Sequence, residues 1–333
     1  MPRKIVVIGS LNLDLVAKVP RMPMEGETLT GLGFATYPGG KGANQAVAAA
    51  FLGGDVVMVG RVGTDSFGAQ LREALNRAGV DSSHVRETPG SSGTAVILVT
   101  PVGANSIVVI PGANGAISPQ ELDSLAGVFE GASIVLAQLE LPIETVMHAA
   151  ELATAHGVPF VLDPAPAQGL PLEFLKHVTW LTPNETETMI LLQSLGHQWN
   201  GDLEDEVGIA EAAEKLLATG VQNVILKLSS RGVYLRGRDV AGRFVDAAKV
   251  QVVDTTAAGD TFNGAFAYAL TQKADPADAA RFACFAAAIS VTRSGAQPSM
   301  PHLDEVRALI KAIGSPDGDV LREFQVQLIQ DEG

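Results

Sequence analysis

Residues 254–262 read Asp-Thr-Thr-Ala-Ala-Gly-Asp-Thr-Phe. Ala257, Ala258 and Gly259 are small enough for their backbone N–H groups to approach a ligand closely. An apolar run at 250–253 predicts a strand leading in, and small and apolar residues at 262–270 predict a helix leading out. The three N–H groups would then sit at a helix N-terminus, where unsatisfied donors and the helix dipole attract negative charge. Asp260 follows at once, and a carboxylate beside an anion hole is badly placed unless it takes up a proton. The pair suits phosphoryl transfer: the N–H groups stabilise charge on the transferring group, and Asp260 accepts the proton of the attacking hydroxyl. Taken alone, a Gly-Asp pair could also be a capped helix start.

A second motif at 38–46 reads Pro-Gly-Gly-Lys-Gly-Ala-Asn-Gln-Ala. Its glycines let backbone approach a ligand, and a helix starts within it. It is not a P-loop, because G-x-x-x-x-G-K-[ST] occurs nowhere in the chain, and no G-x-G-x-x-G joins the first strand to a helix.

Strands and helices must position these motifs. Short apolar runs at 5–8, 56–59, 134–137, 160–163, 180–182 and 224–228 predict strands. Amphipathic patterns at 43–52, 67–78, 143–156 and 208–218 predict helices between them. The alternation predicts an α/β fold: a doubly wound, mostly parallel sheet flanked by helices, with ligands at the C-terminal strand ends. Gly9, Gln138, Asp163 and Pro183-Asn184 fall at such ends. Two stretches break the rhythm. Runs at 15–20 and 27–37, and at 93–100 and 106–110, predict strands with no helix between them. They predict a small antiparallel β-sheet lid, from about 14–38 and 92–111, inserted in a single domain spanning 1–333. Such a lid would cover substrate on one face or pair with a second lid.

Composition agrees with this class. The chain has 333 residues, 47% hydrophobic but only 5% aromatic, which favours aliphatic strands and Ala-rich helices. A formal net charge of −14 argues against binding nucleic acid or an anionic membrane through the global field. The single cysteine, Cys284, lies in an apolar helical run and is expected in the core; with no disulfide possible, a reducing, cytoplasmic location is expected. The first apolar run is too short for a signal peptide or membrane span. The acidic segment 201–206 reads as a solvated loop, and the tail after Ile313 as peripheral.

Gly39-Gly40-Lys41-Gly42-Ala43-Asn44-Gln45-Ala46, together with Asp254-Thr255-Thr256-Ala257-Ala258-Gly259-Asp260, resembles the ribokinase family of carbohydrate kinases. The resemblance extends through Gly9-Ser10-Leu11-Asn12-Leu13-Asp14, Pro164-Ala165-Pro166-Ala167, Thr182-Pro183-Asn184-Glu185-Thr186-Glu187 and Gly295-Ala296-Gln297-Pro298-Ser299, nearly the whole chain. It implies transfer of a phosphoryl group from ATP to the 5-hydroxyl of D-ribose. Asn12, Asp14, Gly39, Gly40, Lys41, Asn44 and Glu140 match sugar-binding positions. Asp260 matches the base, and Ala257, Ala258 and Gly259 the anion hole. Asn184 and Glu187 match the positions that organise Mg²⁺ and the nucleotide phosphates. Lys227, Leu228, Ser229, Ser230, Arg231, Gly232 and Cys284 match the nucleotide region. Asp254, Thr256, Ser290, Arg293, Gly295 and Ser299 match a monovalent-cation site, so K⁺ activation is implied. A homodimer through the lids is implied as well. A sibling sugar or nucleoside kinase and a non-catalytic sugar-binding regulator share the scaffold. Two departures stand out: Ser229 occupies a position usually held by Gly, and the 193–206 connection is longer than usual.

Overall fold

The computed structural model describes residues 3–101, 103–196 and 202–313. Met1, Pro2, Val102, residues 197–201 of the long 193–206 connection and the C-terminal tail after Ile313 therefore lie outside the described residues. In chain order the first elements are β1 (Lys4–Ile8), β2 (Asn12–Lys18), β3 (Gly33–Gly39), α1 (Lys41–Phe51), β4 (Asp55–Gly63), α2 (Ser66–Arg77) and β5 (Asp81–Thr88). Next come β6 (Gly93–Val99), β7 (Asn105–Ile110), α3 (Pro119–Asp123), β8 (Ala132–Gln138), α4 (Ile143–Ala155), β9 (Phe160–Asp163), α5 (Leu172–Leu175) and β10 (Trp180–Leu181). The last are α6 (Glu185–Ser194), α7 (Glu206–Leu217), β11 (Asn223–Lys227), β12 (Val233–Gly237), β13 (Arg243–Val245), α8 (Ala258–Thr271), α9 (Pro276–Ser290) and α10 (Leu303–Ile313).

Nine strands form one sheet in the order β13-β12-β11-β10-β9-β8-β1-β4-β5. All neighbours from β11 to β5 are parallel; β12 and β13 add an antiparallel edge. The chain builds from β1 toward β5, then returns to add β8 to β11 on the other side. The order therefore reverses between β1 and β8, and a crevice opens at the carboxyl ends there.

Strand periodicity divides the core. Ile5 and Val7 of β1 face α1, α8 and α9, whereas Val6 and Ile8 face α4 and α7, and all four are fully buried. On the first face, α8 comes unusually close to α1: a Cβ on Gly264 would lie 2.5 Å from the Gln45 carbonyl. This contact sets the Asp260 end of α8 beside the Asn44–Gln45 segment of α1.

The second sheet has the order β3-β2-β6-β7. Each hairpin is antiparallel, and the two join through a parallel β2–β6 pair. The strand expected at 27–37 starts only at Gly33, because Glu27 closes the preceding loop onto Arg21 and accepts from the Met24 N–H. The run at 250–253 is not a strand. Its Val252 and Val253 are 57% and 59% exposed, and the sheet already ends at β13.

Candidate active site

Asp260 lies in the first turn of α8 and is buried. Its carboxylate accepts hydrogen bonds from Asn44 Nδ2 (3.0 Å) and Gln45 Nε2 (3.2 Å). Burial pushes its pKa up, Lys41 opposes that, Asp163 adds to it, and the two amide donors pull it back. The N-cap Ala257 is left-handed, with φ 58°, so the chain turns sharply as the helix starts. The Ala258 N–H donates to the Thr255 carbonyl at 3.2 Å, so one of the three expected anion-hole donors is engaged within the turn. Gly259 faces a cation: a Cβ there would lie 3.4 Å from Lys227 Nζ. The Lys227 ammonium is held by Asp163 at 3.0 Å. The structure thus puts Lys227 beside the N-terminus of α8.

The expected sugar-binding residues converge on the same crevice. Gly40 (φ 87°) caps α1, so Lys41 and Asn44 leave the first turns of that helix toward the β1 carboxyl end. Glu140, just past β8, accepts from Ser10 Oγ (2.5 Å), the Lys41 N–H (3.1 Å) and Asn12 Nδ2 (3.4 Å). Asp14 stands against Gly39, where any side chain would collide with its carboxylate. Burial, reinforced by Glu140 and Asp260, raises the Asp14 pKa to about 7. Burial also works to lower Lys41, but Asp260, Asp163, Glu140 and Glu187 outweigh it and keep the ammonium protonated above its usual range.

Three site residues carry no role assigned from the sequence. Asn114 accepts from the Leu11 N–H (2.9 Å) and donates to Asn12 Oδ1 (2.7 Å), fixing the Asn12 amide. Asp163 ends β9 and holds Lys227, and Gln45 joins Asp163 to Asp260. Asp163 stood out as a strand-end residue and Gln45 belonged to the glycine motif, but neither carried a local sign of its partner.

Asn184 and Glu187 form a capping box at α6: the Glu187 N–H donates to Asn184 Oδ1 (2.8 Å), and Glu187 Oε2 accepts from the Asn184 N–H (2.7 Å). Burial raises the Glu187 pKa against the pull of Lys227. Its carboxylate, near Lys227 and Lys41, is oxygen-only chemistry of the kind Mg²⁺ takes together with phosphates and water. After β11, Leu228, Ser230 and Arg231 make a tight turn closed by the Leu228 N–H to the Gly232 carbonyl (2.8 Å). Ser229 takes φ 53°, the left-handed conformation that explains a usual Gly there. Arg231 ties this turn to Glu185 (2.6 Å) and the Leu203 carbonyl (2.6 Å). Cys284 is buried in α9, with its thiol pushed up to about 12, chiefly by burial.

Asp254 clamps two loops. Its Oδ1 accepts from the Thr256 N–H (2.9 Å) and Oγ1 (2.6 Å), and its Oδ2 accepts from the Gly295 N–H (2.8 Å). Burial opposes, but these bonds hold its pKa below the usual range, so it is ionised. The Ser290 and Ser299 hydroxyls donate to the Ala287 (2.9 Å) and Ala296 (2.8 Å) carbonyls, and Arg293 pairs with Glu305. Among the described residues no group of three or more His, Cys, Asp and Glu side chains could hold a metal ion.

A buried carboxylate at a helix start, the Lys41 and Lys227 ammonium groups and a cluster of amides and carboxylates lie together at the strand ends. Residues 2–303 match the model of the pfkB family carbohydrate kinases, and the chain belongs to that family. It is 40% identical to the ribokinase of Haemophilus influenzae over 306 residues, 92% of this chain and 97% of that one. It is 38% identical to a deoxyribokinase of Salmonella typhimurium, covering 90% of this chain and 96% of that one. Among solved structures, ribokinase of Arabidopsis thaliana complexed with ribose and ATP is 36% identical, with a TM-score of 0.86 over 93% of this chain and 99% of that one.

Proposed function

We propose that this carbohydrate kinase is a ribokinase, moving the γ-phosphoryl group of ATP to the 5-hydroxyl of D-ribose. The observation that carries the reading is the Asp260 carboxylate, buried at the start of α8 within a crevice shared with Lys41, Asp14, Asn12 and Glu140. The amides and carboxylates accept and donate to several sugar hydroxyls at once, which fixes one hydroxyl toward Asp260. Asp260 takes the proton of that hydroxyl as its oxygen bonds to phosphorus; the bond to the bridging oxygen breaks, and ADP leaves with the electron pair. Its raised pKa makes it a stronger base than an ordinary Asp. The Ala257 and Gly259 N–H groups and Lys227 face the charge on the transferring group, while the Ala258 N–H is spent on the Thr255 carbonyl.

Asn184 and Glu187 would hold Mg²⁺, which when bound supplies neutralisation of phosphate charge. The Asp254 loop and the 293–299 loop would hold K⁺ and so set the shape of the anion hole. The four-stranded sheet serves as the lid of a single kinase unit. It leaves Ile107, Val108, Val109 and Ile110 of the edge strand β7 exposed, which supports a lid-to-lid homodimer. No helix among the described residues is long and apolar enough to cross a membrane. The lone buried cysteine supports a reducing, cytoplasmic setting.

The test is incubation with ATP and a panel of ribose, 2-deoxyribose, hexoses and nucleosides, following ADP release and the phosphorylated carbon. Ribose should lead the panel. The likeness to a deoxyribokinase makes 2-deoxyribose the one rival to watch. A sugar-binding regulator would bind ribose and release no ADP; the intact Asp260 and Lys41 argue against it.

A further inference from the structure

Gln45 is fully buried between two carboxylates that it joins. Its Nε2 donates to Asp163 Oδ2 (2.9 Å) and to Asp260 Oδ1 (3.2 Å). Ionised carboxylates only accept, so the NH₂ end of the amide must face them. Its Oε1 then points away and accepts from Gln138 Nε2 at 2.6 Å. Gln45, Gln138, Asp163 and Asp260 are 1%, 0%, 2% and 6% exposed, so water cannot easily replace any link. The far side of Asp163 holds Lys227, whose ammonium lies beside Gly259. A continuous run of contacts therefore connects the proton acceptor to the cation at the anion hole, and Gln45 is its middle.

We propose that Gln45 is a positioning residue for phosphoryl transfer: its amide, oriented by Gln138, fixes the rotation of the Asp260 carboxylate and couples it to the Asp163–Lys227 pair. This rests on Asp260 acting as the base. Asn44 holds the other Asp260 oxygen and belongs to the sugar cluster; no sugar role falls to Gln45. Asn44 thus serves sugar and base together, and its neighbour Gln45 on α1 serves the base alone. Asp260 also faces Lys41 on α1, Asp14 on β2 and Asp163 on β9. Removing the Gln45 donor leaves these charges in place and takes away one bond to the ionised form.

The test is Gln45→Met, close in volume and without the amide, measured beside Asp260→Asn. Turnover is followed against pH at saturating ribose, where the acid limb reports the bound enzyme, and KM for ribose is measured separately. Gln45→Met should lower kcat about 10- to 100-fold, the scale of one hydrogen bond to a charged group, with KM for ribose within about two-fold of wild type. The acid limb of kcat should move up by about one pH unit, because a donor to the anion is gone. Gln138→Met should shift the limb the same way by less. If Asp260→Asn collapses turnover while Gln45→Met keeps the wild-type kcat and limb, the positioning role is overturned and the base stands. If Asp260→Asn itself stays active, the base assignment falls and the proposal with it. Should Gln45→Met not fold, Gln138→Met is judged by the same two outcomes.

Discussion

Ribose affinity should depend steeply on pH near neutrality, through Asp14. Its carboxylate is hemmed in by Gly39, Glu140 and Asp260, and its pKa is raised to about 7. Sugar hydroxyls donate best to the ionised carboxylate, so binding selects the deprotonated form. With a pKa of about 7, roughly one molecule in ten is ionised at pH 6 and nine in ten at pH 8. The dissociation constant for ribose should therefore be about ten-fold larger at pH 6 than at pH 8. Asp14→Asn keeps the shape and removes the titration. It should bind ribose more weakly by roughly 1–3 kcal/mol at pH 8, with most of the pH slope gone. The stability sign runs the opposite way. A carboxyl whose folded pKa lies above its unfolded value contributes stability fully present below about pH 4 and lost as pH rises through about 7. Asp14→Asn should thus gain in Tm over wild type more at pH 8 than at pH 5. Calorimetric titration of ribose without nucleotide, paired with thermal melts, reads both. A flat affinity between pH 6 and 8 in wild type, or an unchanged slope in Asp14→Asn, would refute the reasoning.

Asp260→Asn should leave ribose binding nearly intact and lower turnover by roughly two to four orders of magnitude, as for a lost general base; steady-state ADP release decides it. Turnover should be faster in K⁺ than in Na⁺ or a bulky organic cation at equal ionic strength, and Asp254→Ala should flatten the difference; equal rates of the wild-type enzyme in all three salts would remove the cation site. Ser229→Gly should relieve the left-handed strain and raise stability by up to about 1 kcal/mol, while Ser229→Val should lower it by about 1–2 kcal/mol; denaturant unfolding checks the pair. Val108→Lys should convert a two-fold dimer to monomer in light scattering, and a wild-type chain that is already monomeric at micromolar concentration and fully active would refute the lid pairing.

The parallel sheet was legible because its strands are short, aliphatic and separated by helices, so period and punctuation agree. Strand-end residues such as Gln138, Asp163 and Asn184 were legible for the same reason. What escaped was long-range. The Gln45–Asp163 bond spans 118 positions and the Leu11–Asn114 bond 103, and neither partner shows a local pattern. Residues 250–253 carried a strand-like composition, but no free neighbouring strand awaited them, so tertiary context overrode propensity. Lys227 falls in the stretch matched to the nucleotide region, and its place beside Gly259 goes with the Asn184–Lys227 bridge, a pairing that no local pattern announces. The edge strands β12 and β13 passed unread because their antiparallel pairing follows a tight turn rather than a helix.

At the switch between β1 and α1, a Cβ on Gly42 would lie 2.6 Å from the Gly9 Cα, and a Cβ on Gly9 would lie 2.6 Å from the Gly42 Cα. Main chain rests directly on main chain there. Most packing faults in an interior can be repaired in the course of sequence change by trimming a neighbour, but here neither side has a side chain to trim. A methyl group at either position can be accommodated only by sliding α1 along the sheet, and α1 carries Lys41, Asn44 and Gln45 together. The two glycines should therefore drift as a locked pair, closed to compensation from anywhere else in the chain, while the surrounding aliphatic core remains free to exchange one hydrocarbon for another.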